Sequence, residues 1–128
     1  MEKGIKTVTE DGKALPYKEL LNNPEYLEEI YPILKGSCEF VQDYLTENEK
    51  GQLITAPSNS PENEFYYIDA NGEKQESMFT EGATIDFQII YALFTRTIHA
   101  CKVLKRDEEF SKTLSNNVGI FFMLLTLL

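Results

Sequence analysis

The sequence predicts a mainly helical protein, a single domain or part of one, with a small β-excursion between its two long helices. Three observations predict it. Apolar residues recur three or four apart over long windows, notably Ile85 to Leu104. Helix-start signals stand at Asn23-Pro24-Glu25 and at Asp107-Glu108-Glu109. One aromatic, β-prone run, Glu64-Phe65-Tyr66-Tyr67-Ile68, is followed by Asp69-Ala70-Asn71-Gly72, which has the chemistry of a hairpin turn. With 128 residues the chain is long enough for one domain with a real core and too short to hold two comfortably.

Residues 1 to 23 form a weakly specified arm, with a turn at Glu10-Asp11-Gly12-Lys13 and a short helix through Leu20 and Leu21. At Asn23-Pro24-Glu25 a cap, a proline at the first helical position and an acid in the first turn start a helix. Tyr26, Leu27 and Ile30 supply its buried stripe. Pro32 lacks the N–H that a helix interior uses, which predicts a break near Tyr31 and a second helix from Pro32 to about Thr46. Its expected inner face is Ile33, Ser37, Phe40, Val41, Tyr44 and Leu45. Glu47-Asn48-Glu49-Lys50-Gly51 reads as a polar stop closed by glycine. The helix after Gly82-Ala83-Thr84 is apolar over a broad face through Ile85, Ile89, Ile90, Leu93, Phe94, Thr97, Cys101 and Leu104, which implies contact on two sides. A further helix begins at Asp107-Glu108-Glu109-Phe110, and its pattern dissolves after Leu114. Residues 116 to 128 form an atypical apolar tail, too short for the roughly 20 residues that span a bilayer.

Twelve Lys and Arg against twenty-one Asp and Glu leave a net charge of −9. That surface repels phosphate backbones and anionic lipids, so nucleic acid is excluded as a partner, while uncharged ligands such as sugars are neither favoured nor opposed. Cys38 and Cys101 sit in separate apolar helical patterns and read as buried thiols. His99 is the single histidine and no cysteine has a second one nearby, so no zinc spacing exists and neither a metal nor a cofactor is expected. The first residues lack the apolar core of a secretory signal, so export is not encoded here and localisation is left open.

The segment Leu53-Ile54-Thr55-Ala56-Pro57-Ser58-Asn59-Ser60-Pro61-Glu62-Asn63 interrupts the helical pattern. Pro57 and Pro61 stiffen it and keep it out of either neighbouring helix, so that Glu62 is carried on a pre-ordered backbone. By composition alone this is also what an ordinary surface turn looks like. Asp86 is a second carboxylate of interest, and an acid in the first turn of a helix is equally explained by the helix dipole.

Three blocks in order, Tyr31-Pro32-Ile33-Leu34-Lys35-Gly36, then Thr55 to Asn63, then Thr84-Ile85-Asp86-Phe87-Gln88-Ile89-Ile90, resemble one stretch of glycoside hydrolase family 95, which contains α-L-fucosidases. The similarity covers roughly residues 24 to 114 and continues through Leu93 to Leu104 and Asp107 to Phe110. The resemblance implies an internal portion of an (α/α)6 barrel, here about three to five helices over residues 24 to 115. It implies inverting hydrolysis of terminal fucose on glycans, with Glu62 as the general acid that protonates the leaving glycosidic oxygen. Asn59 and Asn63 would orient sugar hydroxyls or the acid itself, and Asp86 and Gln88 would shape the sugar pocket. The family's upstream asparagine pair, its downstream aspartate and its later histidine motif have no counterpart in these residues. An inverting pair of carboxyl groups stands roughly 6.5 to 9.5 Å apart around a water, and Glu62 supplies one side of that arrangement. The chain alone is therefore expected to be inactive, needing the missing barrel segments or a partner chain. Two other readings follow from the same residues: a non-catalytic helical interaction module with wide apolar faces, and a truncated gene product whose tail leaves the barrel pattern.

Overall fold

A computed structural model describes residues 10–59 and 64–127, and for Tyr17 and from 120 onward the backbone alone. Four helices occur among them, α1 (Tyr17–Leu21), α2 (Pro24–Tyr44), α3 (Thr84–Leu104) and α4 (Glu108–Leu127). Two small antiparallel hairpins lie between α2 and α3, β1 (Thr46–Glu47) with β2 (Leu53–Ile54), and β3 (Phe65–Ile68) with β4 (Lys74–Ser77). The architecture is mainly helical with a small β-excursion, consistent with part of a helical barrel.

Helix α2 starts where its signals place it, with the Asn23 side chain accepting from the N–H groups of Glu25 and Tyr26. It does not break at Pro32, which lies inside one continuous helix. Pro32 and Glu28, whose carbonyl the missing N–H would have met, are both exposed, so water can serve that carbonyl while the buried Leu27 and Tyr31 hold the helix against α3. The expected inner face needs correction for the same reason: one uninterrupted helix has one register. Its buried line is Leu27, Tyr31, Cys38, with Leu34, Val41 and Leu45 partly buried beside it. Ile33 and Phe40 are 70% and 69% exposed, on a second apolar face where Phe40 stacks against Tyr44.

The polar run after α2 is a hairpin turn and no helix stop. Leu45 is already extended, Asn48 Oδ1 accepts from the N–H groups of Lys50 and Gln52, and Gly51 takes φ +74°. A glycine in the left-handed region serves a helix end and a tight turn equally well. The β3–β4 hairpin forms where expected. Asp69 Oδ1 accepts from the N–H groups of Asn71 and Glu73, and Gly72 has φ +82°. These hydrogen bonds to the charged form, that from the Glu73 N–H first, hold the Asp69 carboxyl below its usual range.

Helix α3 is central, packing on α2 along one side and α4 along the other. It buries Phe87, Ile90, Phe94, Thr97, Ala100 and Cys101, whereas Ile89, expected inside, is exposed. Cys38, Ile54, Phe87, Ile90, Phe94 and Leu114 form one core, and Leu27, Tyr31, Ala100 and Cys101 a second further along α3. Cys38 and Cys101 are free thiols and buried, as their patterns imply. His99 Nε2 lies 3.1 Å from the Leu21 carbonyl and 3.2 Å from Asn22 Oδ1, so the histidine ties α1 to α3. The α4 helix continues past Leu114 to Leu127, and Val118 packs against the core.

These faces make a direct test. Phe94→Ala should cost about 3–5 kcal/mol of unfolding free energy, the usual loss for emptying an aromatic core position. Phe40→Ala should change it by no more than about 0.5 kcal/mol. Urea denaturation measures both, and equal losses would show that the α2 face is misassigned.

Candidate functional site

The loop after β2 is tied to the start of α3 by a set of hydrogen bonds centred on one carboxylate. Asp86 Oδ2 accepts from the Thr55 hydroxyl at 2.7 Å and from the Ser58 hydroxyl. Ser58 Oγ also accepts from the Ala83 N–H at 3.3 Å. Backbone bonds reinforce the tie: Ser58 and Thr80 exchange N–H···O bonds of 2.7 Å each way, and the Gly82 N–H donates to the Thr55 carbonyl at 2.8 Å. Thr55 and Ser58 are buried, and the Tyr44 hydroxyl at the end of α2 donates to the Pro57 carbonyl. The turn at Gly82 has φ +63°, a left-handed conformation that glycine adopts without the strain a side chain would bring.

These elements wall a cleft of about 310 Å³, with Tyr44, Thr55, Ser58, Asn59 and Asp86 as its polar lining and Val41 and Ile90 beneath. Of the residues expected to face a sugar, Asn59 and Asp86 come together here. Gln88 is exposed on α3 and does not line the cleft. Glu62 and Asn63 lie outside the described residues. The tyrosines after them are not core: Tyr66 is 64% and Tyr67 47% exposed, on a hairpin whose Lys74 ammonium sits 4.1 Å from the Tyr66 ring centre. Sequence reasoning missed Tyr44 as a cleft residue, and it quoted Thr55 and Ser58 without a role. No local signal marks two hydroxyls as partners of a carboxylate about thirty residues away.

A second cluster joins α2 to the α3–α4 turn. Tyr31, fully buried, donates its hydroxyl to Asp107 Oδ2, with Cys101 Sγ 3.4 Å away, and Lys35 Nζ donates to the same carboxylate oxygen at 3.0 Å. The Arg106 guanidinium lies over the Tyr31 ring and pairs with Glu28 at 2.6 Å. Asp107 has φ +53°, a conformation that acidic residues tolerate better than most, and its carbonyl accepts from the Ser111 N–H in the first turn of α4. The Tyr31 hydrogen bond, then that of Lys35, holds the Asp107 carboxyl below the usual range, and burial pushes the Tyr31 phenol well above its own. Burial likewise raises the Cys38 thiol, whose S–H donates to Thr97 Oγ1 at 3.2 Å. The cluster's chemistry is that of an interhelical lock. A cavity of about 490 Å³ beside it is lined by Cys101, Lys102, Lys105 and Arg106. Among the described residues no group of three or more His, Cys, Asp or Glu could hold a metal ion, and no helix is long and apolar enough to cross a membrane.

Thr55 and Ser58 thus hold the polar loop to the start of α3 beside a small open cleft. Residues 19–120 match the model of the glycosyl hydrolase family 95 catalytic domain. The chain belongs to that family, and its substrate class is glycans. No curated protein matches it.

The Asp107 lock predicts a pH dependence of definite sign. Asp107 binds its proton less readily folded than unfolded, so the stability it contributes is complete above the ordinary carboxylate range, near pH 4, and is lost as pH falls through the lowered folded-state value. Removing the hydroxyl in Tyr31→Phe should lower Tm most at neutral pH, and the gap to wild type should close in acid. Thermal melts across that range test this, and a constant gap would remove Asp107 from the acid-sensitive set.

Proposed function

We propose that this chain is part of an inverting, α-L-fucosidase-like catalytic domain that releases terminal fucose from glycans by general acid/base chemistry, and that it does not turn over by itself. The observation that carries the reading is the family match, which runs unbroken across the proline-rich loop and the start of α3. In this reading residues 24 to 115 belong to the (α/α)6 barrel, preceded by an arm and followed by the apolar tail. Glu62 is the general acid. It must stay protonated near neutral pH, which requires a partly apolar or negatively charged surround, and the aromatic strand beginning at Phe65 is its nearest neighbour in sequence. Asn59 and Asn63 orient sugar hydroxyls and Asp86 shapes the cleft wall, whereas Gln88, exposed on α3 outside that cleft, has no part in it. The base side, which activates the water, comes from segments carrying the asparagine pair and the aspartate.

The outward apolar face of α2 supports the need for further segments. Ile33 and Phe40 have no cover among the described residues, as expected of a barrel helix whose other neighbour lies elsewhere in the domain. A partner chain docking there is the competing reading for that face.

The test joins this chain to family 95 segments that carry the asparagine pair and the aspartate and assays fucose release from an oligosaccharide. Glu62→Gln should lower turnover by about 10²- to 10⁴-fold, the usual worth of a positioned general acid. Activity that survives the substitution would remove Glu62 from that role.

A further inference from the structure

We infer that Asp86 is a positioning residue for protonation of the leaving group: its carboxylate holds the loop that leads to Glu62 and does its work through that loop, not by touching the sugar. The inference rests on the reading of Glu62 as the acid and deepens it. Four observations carry it. A single oxygen, Asp86 Oδ2, takes hydrogen bonds from two buried hydroxyls, Thr55 and Ser58, three residues apart on the loop. Ser58 in turn accepts from Ala83 N–H and pairs by backbone with Thr80, so the two ends of the segment that contains Glu62 are fastened at one place. That place is the first turn of α3, whose following residues Phe87 and Ile90 are in the core, so the anchor cannot drift without disturbing the packing. The bonds are of the charge-assisted kind, with both donor residues buried, and such bonds define geometry more sharply than neutral ones.

A helix-dipole role alone would not require the partners Asp86 has. A first-turn acid stabilises its own helix whatever stands across from it. Here both donors come from another segment, about thirty residues earlier in the chain. Misplacement of a catalytic group by 1 Å can cost about 10²-fold in rate, which sets the scale of the expected effect.

The test uses leaving-group chemistry, because protonation matters for a sugar alkoxide and hardly at all for an activated aryl group that departs as a stable anion. In the joined catalytic domain described above, Asp86→Ala should lower kcat by about 10²-fold on a fucosyl oligosaccharide and by less than about 5-fold on 2-chloro-4-nitrophenyl fucoside, with KM little changed. Asp86→Asn, which keeps a neutral acceptor, should recover part of the loss. Ser58→Ala removes the same bond from the other side and should show the same substrate discrimination, which keeps the test informative if Asp86→Ala fails to fold. In the chain as it stands, Asp86→Asn should speed amide exchange at Ser58, Thr80 and Gly82 and leave that of Phe94 unchanged. Equal losses on both substrates, or a raised KM with kcat intact, overturn the inference. Glu62→Gln is the reference. If it discriminates between the substrates and the Asp86 and Ser58 variants do not, only the positioning role falls; if it does not discriminate, the acid assignment falls and takes this inference with it.

Discussion

Everything else in the structure depends on α3 being buried along two sides. Phe87, Ile90 and Phe94 meet α2, β2 and α4 in one core, and Ala100 and Cys101 meet the first turns of α2 in another, so this helix sets where both of its neighbours can lie. A helix apolar over so wide a face would be poorly solvated alone, and association with α2 and α4 is what removes that surface from water. The arms of the fold are then fixed to it and to the turn after it by polar ties, among them His99 to α1, Asp107 with Tyr31 and Lys35 to α2, and Asp86 to the loop after β2.

The three ties differ in chemistry in a way that matches their tasks. His99 meets a backbone carbonyl and an amide oxygen at a partly exposed end, a modest contact suited to a short helix. Asp107 meets a phenol and an ammonium and locks two long helices at one level. Asp86 meets two hydroxyls from one loop, and those donors are small enough to let the loop lie close against the helix start. The last tie stands beside the cleft and fastens a segment that the family reading assigns to catalysis.

Helix existence and order were legible in the sequence because periodic apolar residues and capping chemistry are local signals. The hairpin at Asp69-Ala70-Asn71-Gly72 was legible for the same reason. Pro32 misled, since a proline's local cost is certain but its consequence depends on whether the neighbouring helix holds the two halves in line and whether the orphaned carbonyl can reach water. Register followed from that error, so Ile33 and Phe40 were placed inside. Gly51 misled because helix ends and tight turns ask the same backbone conformation of it.

The sequence by itself determined that the chain is helical, that its thiols are buried, that its charge disfavours phosphate, and that its ordered motif blocks belong with a family of glycoside hydrolases. These follow from composition, from spacings of three and four residues, and from words of a few residues, all of which are readable along a line. Only the tertiary structure decided which apolar face of α2 is covered, that the tyrosines of the hairpin are exposed, and that Asp86 closes on Thr55 and Ser58. Those facts concern residues brought together across about thirty to seventy positions, and the direction in which a side chain meets such a partner is set by packing, which no local pattern encodes.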